Sequence, residues 1–242
     1  MYNELSEKDF SSKTSSIVYE NEQAQSTLMR NVYIWMTLAL AVSGATAWYV
    51  ANSYNLLNAI FSSSWGFLGL VVAELALVWI LAGMIQKLSF LMAGIMFVVY
   101  SVVNGLTLSC IFVAYTTESI ASTFFITAGM FAAMALIGTF IKKDLSGLRR
   151  FLLMALIGLI IASVVNIFLG SSTMYWIITY VGVLLFTALT VYDAQQIKNM
   201  IALYGNDVNE STQKIALLGS LTLYLDFVNL FLYMLRIFGN RD

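Results

Sequence analysis

Between Arg30 and Glu74 the chain carries no acidic or basic side chain. A stretch of that length without charge has no place on a water-exposed surface, and it is long enough to hold more than one crossing of a hydrocarbon core about 30 Å thick. Comparable runs return to the end of the chain. They predict spans over Val32–Val50, Phe67–Ile85, Phe90–Ala114, Ile120–Ile141, Phe151–Leu169, Tyr175–Tyr204 and Ile215–Phe238. The residues are 60% hydrophobic and only 10% charged, and the runs are continuous where barrel strands would alternate. The expected fold is therefore an all-α integral membrane protein of seven transmembrane helices.

Residues 1–26 are polar and lack apolar periodicity, so they are expected to form a mobile tail ahead of one seven-helix domain over 27–242. No basic segment followed by a short apolar core marks a signal peptide. Basic residues divide the connections by parity. The tail holds Lys8, Lys13 and Arg30, the second connection Lys87, the fourth Lys142, Lys143, Arg149 and Arg150, and the sixth Lys198 and Lys214. The first, third and fifth hold none, which predicts a cytoplasmic N-terminus and an external C-terminus. Arg236 and Arg241 run mildly against that pattern.

Several chemistries are excluded by absence. There is no histidine, which removes histidine-assisted serine protease chemistry and histidine-ligated zinc. There is no proline, so helices broken for ion coordination would depend on glycine alone. The single cysteine, Cys110, permits no internal disulfide and is expected to pack as a small hydrophobe. A net charge of -1 gives no footprint for nucleic acid. Intramembrane aspartyl proteases pair a Tyr-Asp motif with Gly-x-Gly-Asp; Tyr192-Asp193 meets the first and Leu223-Tyr224-Leu225-Asp226 fails the second. A retinal protein needs a lysine within its seventh span, and none is there. The expectation is a protein that is not an enzyme and holds no resident cofactor.

What stands out instead is carboxylate inside the membrane. Asp226 lies near the middle of the last apolar run, where an acid costs several kcal/mol unless it finds a partner, water or a proton. Gly219, Thr222, Asp226, Asn229, Tyr233 and Arg236 recur at spacings of three and four, placing them on one face of one helix. Such a stripe suits a helix inside the bundle rather than one against lipid. A second acid matches the first in depth. Gly205 is a suitable stop for the sixth helix through a left-handed cap, so Asp193 lies eleven residues before Tyr204 and Asp226 twelve after Lys214. Both then lie about 17 Å from the same connection. Glu74 is either a third pore acid or a helix-packing acid bonded to a neighbour. Asn104 and Asn166, with Thr107, Ser109 and Ser163, are candidates for lining a path, against the commoner role of small polar groups as packing contacts.

The segment Tyr192-Asp193-Ala194-Gln195, the stretch Leu223–Phe231 followed by Arg236, and Lys142-Lys143-Asp144-Leu145-Ser146 between two spans resemble the transmembrane Bax inhibitor motif family, especially its bacterial members. Asn166-Ile167-Phe168 and Glu74 fit the same resemblance, which runs from about Met29 to Gly239. It implies six helices around a central C-terminal one. It also implies a pH-sensitive calcium leak governed by two hydrogen-bonded aspartates, here Asp193 and Asp226, in a bacterial plasma membrane. The family's closed state is latched by an arginine at the end of the second helix. Here Ile85 stands at that position, followed by Gln86 and Lys87, so Lys87 is the candidate latch only if the helix end shifts, and it would act as a point charge rather than a bidentate fork.

The residues themselves support a compatible mechanism. Two carboxylates close together in low dielectric are expected to share one proton, and losing it would set them in repulsion. That repulsion is expected to part the sixth and seventh helices and open a cation path. Calcium requires oxygen ligands, which Asp193, Asp226, Glu74 and Asn229 would supply transiently. The expected partners are the lipid bilayer, calcium and protons. The competing expectation is a non-conducting regulator that binds a membrane protease or another stress-response membrane protein.

Overall fold

The computed structural model describes the backbone of residues 2–62 and 64–240, with side chains described from Glu20 to Ser62 and from Trp65 to Asn240. Among the described residues there is no strand. The helices are α1 (Tyr2–Ala51), α2 (Tyr54–Phe61), α3 (Ser64–Met84), α4 (Phe90–Leu108), α5 (Ile111–Ala114), α6 (Thr117–Phe140), α7 (Arg149–Leu169), α8 (Ser172–Tyr204) and α9 (Glu210–Phe238). Among the described residues seven spans are long and apolar enough to cross a membrane, and each overlaps one expected from the sequence.

Two spans carry detail that hydropathy does not show. The third is α4 continued by α5 across a turn at Ser109-Cys110, and the first connection folds into α2. Side chains of residues 1–19 lie outside the described ones, but the end of the expected tail is helical, with Ala24 buried and Gln25 Nε2 donating to Ala202 O at 3.5 Å.

Local signals set the helix ends. Ser89, Thr116, Ser171 and Asn209 each cap the following helix by accepting a backbone N–H, and Asn209 forms a reciprocal box with Thr212. Gly170 closes α7 in the left-handed region at φ 60°, which lets the chain reverse directly into α8. Gly205 ends α8 as expected, but for a different reason. Its φ is -90°, so no left-handed cap forms; a Cβ there would lie 2.5 Å from Ile201 O of its own helix, and that backbone contact is what favours glycine, with Leu28 Cδ1 of α1 next at 2.8 Å.

The last helix is the most enclosed span, with 67% of its apolar window buried against 11–39% for the others. It packs principally on α1, α4, α6 and α8, while α3 lies against α4 and α7 against α8. Four spans therefore pack directly on α9, and α3 and α7 lie outside them. Small residues permit the close crossings. A Cβ at Gly138 of α6 would run into Val191 O of α8, and one at Gly105 of α4 would lie 2.6 Å from Ser43 O of α1.

Candidate functional site: an acid pair and a tyrosine network on either side of the last helix

The polar stripe of α9 faces α8 along much of its length. Gly219 lies against Ile197, Asp226 meets Asp193, Tyr233 stacks on Phe186 at 5.8 Å, and the Arg236 guanidinium lies 5.4 Å from the Tyr175 ring centroid. α8 and α9 are antiparallel neighbours joined by a short connection, so equal distances from that connection become equal depths. The two carboxyls come together as interacting neighbours. A carboxylate only accepts, so a hydrogen bond between the two requires a proton on one of them. Asp226 is 5% exposed and its Oδ2 has no partner among the described residues. Asp193 is half-buried, which gives the pair one enclosed and one more accessible member.

Two residues on from Asp193, Gln195 anchors this part of α8 to the preceding loop. Gln195 is buried; its Oε1 accepts from Leu145 N at 2.8 Å and its Nε2 donates to Lys143 O at 2.8 Å. Two of the segments singled out in the sequence are therefore in contact, the Tyr192–Gln195 helix turn holding the Lys142–Ser146 loop. Within that loop, Asp144 accepts from Ser146 N at 2.9 Å and Ser146 Oγ at 2.8 Å. The backbone bond first and the hydroxyl second hold its carboxyl below the usual carboxylate range.

A second polar cluster occupies the opposite side of α9. The Tyr224 hydroxyl donates to Asn104 Oδ1 at 2.8 Å and shares a 2.6 Å bond with Ser43 Oγ, which also lies 2.8 Å from Ser101 O. Phe97 and Tyr100 pack edge-on against the Tyr224 ring. Glu74 joins from α3 beside Thr107 and Asn104, with Oε1 enclosed and without a partner among the described residues. Glu74 and Asn104 thus belong together but to this cluster, apart from the aspartates.

The remaining candidates lie elsewhere. Asn229 is half-buried and its Nδ2 returns to Leu225 O of its own helix at 2.8 Å. Asn166 Oδ1 accepts from Ser171 N at 3.2 Å, so it braces the α7–α8 turn at the far end of the bundle from the Lys142–Ser146 loop. Lys87 is exposed in a 3-10 turn and forms no ion pair among the described residues, while Ile85 is buried in the core. The tie at this end of the bundle comes from α9 instead. Buried Lys214 donates from Nζ to Leu88 O at 3.0 Å and lies 3.9 Å from Glu210, whose Oε1 accepts from Phe90 N. Neither Lys214 nor Tyr224 was apparent as a site residue from sequence. The one signal available for Lys214 was its place in the second turn after the Asn209 cap, at the start of a largely apolar run. No group of three or more Asp, Glu, Cys or His side chains suited to a metal ion occurs among the described residues.

Fold and site together define a polytopic α-helical membrane protein with a buried acid pair between its last two spans. The family described as "Inhibitor of apoptosis-promoting Bax1" matches residues 25–242, and the chain belongs to this Bax inhibitor family. It is 49% identical over 229 residues to the inner membrane protein YbhL of Escherichia coli K12, covering 95% of this chain and 97% of that one. It is 40% identical to a protein of Deinococcus radiodurans, covering 89% of this chain and 91% of that one. A Borreliella burgdorferi protein is 38% identical, with 91% and 97% covered.

Proposed function

We propose that this protein is a pH-sensitive calcium leak of a bacterial plasma membrane, with its N-terminus in the cytoplasm and Asp193 and Asp226 as its gate. The observation that carries this reading is the meeting of two intramembrane carboxyls from adjacent antiparallel helices, one of them almost fully enclosed. With one shared proton the pair holds α8 and α9 together. Without it, two unit charges about 4 Å apart repel by about 4 kcal/mol at an effective dielectric of about 20. That shifts a closed–open equilibrium by roughly a thousandfold. Flux therefore rises with pH as the proton is lost.

Calcium is the cargo in this reading. Two acids with water offer oxygen ligands, fewer than the six to eight of a tight protein site, which suits passage better than storage. Glu74 would extend the negative path on the α3 side. The test is calcium entry into proteoliposomes containing only this protein, followed with a trapped indicator between pH 5 and 8. Entry that climbs with pH is expected. Entry no faster than in protein-free vesicles at every pH would overturn the leak and leave the non-conducting regulator, which works by binding a membrane protease or stress-response partner.

A further inference from the structure

We propose that the cleft around Arg236, where the ends of α7 and α9 meet the start of α8, binds a phosphate group. The cleft encloses about 600 Å³ and is lined by Asn166, Ser171, Ser172, Tyr175, Trp176 and Arg236, closed by glycine backbone. Among the described residues its one charged lining group is the guanidinium, no Asp or Glu contributes to the wall, and Arg236 forms no salt bridge. The ring centroids of Tyr175 and Tyr233 lie 5.4 and 5.0 Å from the guanidinium carbon. Stacking of this kind fixes the plane of the cation while leaving N–H groups at its edge to donate.

The neutral groups point to the same ligand chemistry. Asn166 has spent its carbonyl oxygen on Ser171 N, so its amide N–H groups are what remains to offer. Ser171 Oγ accepts from Met174 N and keeps its O–H. Trp176 brings an indole N–H, which only donates. A wall of donors around one guanidinium suits a ligand made of acceptors, and phosphate with its several oxygens fits that better than a cation or a hydrocarbon.

Two sources can supply phosphate, and position favours a lipid. The cleft lies at the ends of three spans, where hydrocarbon gives way to headgroups, with Trp176 and Tyr180 exposed beside it as interface aromatics. Next to it, Ile167 and Phe168 are 79% and 85% exposed, forming an apolar flank along which an acyl chain can lie. This site is separate from the aspartate pair and does not depend on ion flux.

The experiment is native mass spectrometry of the full chain in detergent with phosphatidylglycerol, against diacylglycerol of the same chains. In parallel, the thermal midpoint is measured in inorganic phosphate and in chloride at equal ionic strength. Retention of one phosphatidylglycerol, favoured roughly tenfold over diacylglycerol, is expected. It should be lost in Arg236→Gln and Ser172→Asp and kept in Lys142→Gln on the opposite membrane face. A midpoint raised by phosphate alone, again lost in both variants, would assign the site to the soluble ion. Ser172 is exposed, so its variant keeps the fold. If Ser172→Asp holds phosphatidylglycerol and responds to phosphate as the unaltered protein does, or if the unaltered protein discriminates neither ligand, the proposal fails.

Discussion

Tyr224 and Asp226, two residues apart on α9, are committed to opposite sides of the bundle. The Tyr224 hydroxyl is tied to Asn104 and Ser43, whereas Asp226 meets Asp193. A helix turns about 200° over two residues, so fixing one of these side chains fixes the direction of the other. The tyrosine network thereby sets the rotation of α9 that brings the acids into register.

Removing the hydroxyl tests that role. Tyr224→Phe leaves the Asn104 acceptor without its donor in a buried site, which costs about 1–3 kcal/mol. A lower thermal midpoint is expected, together with a changed pH profile of flux, because α9 is freer to rotate. An unchanged pH profile with a lowered midpoint would confine Tyr224 to stability.

Lys214, and not Lys87, ties α9 to the loop between α3 and α4. Lys214→Met keeps most of the volume and removes the bond to Leu88 O, at a cost of about 1–2 kcal/mol. Resting flux at acid pH should rise in Lys214→Met and stay at the unaltered level in Lys87→Gln. The reverse pattern would return the latch to Lys87.

How much of this was legible beforehand follows from what each signal measures. Hydropathy reports burial in lipid, so all seven spans appear in the sequence, but it is blind to breaks within an apolar run such as Ser109-Cys110. The stripe from Gly219 to Arg236 was visible because one helix face repeats at three and four, and α8 covers it. Tyr224 sits off that stripe among leucines and passes as core; only Asn104 and Ser43, remote in sequence, make it polar structure. Lys214 passes as a loop charge for the same reason, since its partner is a backbone carbonyl that carries no sequence signature. Depth matching found the acid pair because it needs only two helix ends and a rise per residue.

Orientation is tested by the basic connections. In the background of Cys110→Ala, single cysteines at Ser62, Glu118 and Ser171 should react with an impermeant thiol reagent added outside intact cells, and those at Ser146 and Asn209 should not. Outside labelling at position 146 inverts the assignment.

The pH response should belong to the pair alone. Asp193→Asn or Asp226→Asn should abolish the dependence of flux on pH between 5 and 8. Asp144 is the control on the same side as the basic loop. Its bonds to Ser146 lower its carboxyl below the ordinary value of about 3.9, so its contribution to loop order is complete above that pH and is lost only as pH falls through the lowered value. It stays ionised across the range of the assay. Asp144→Asn should leave the flux midpoint in place, and a shifted midpoint would mean that a second group senses pH.

Asp226 remains to be divided between gating and conduction, and shape separates the two. Asp226→Asn preserves volume and hydrogen-bonding capacity while abolishing the charge, so in an otherwise closed protein it reports on the gate. In the Asp193→Asn background, where no repulsion between the two residues drives opening, the same change in the remaining flux reports on attraction of cations. A negative charge in a low-dielectric path concentrates calcium, and the enclosed Oδ2 of Asp226 has no partner among the described residues to occupy it. Calcium flux through the Asp193→Asn, Asp226→Asn protein should therefore fall below that of Asp193→Asn at fixed pH and gradient, and Asp226→Glu in the same background should restore part of it. Equal flux in the single and double variants would show that Asp226 gates the path without contacting the ion.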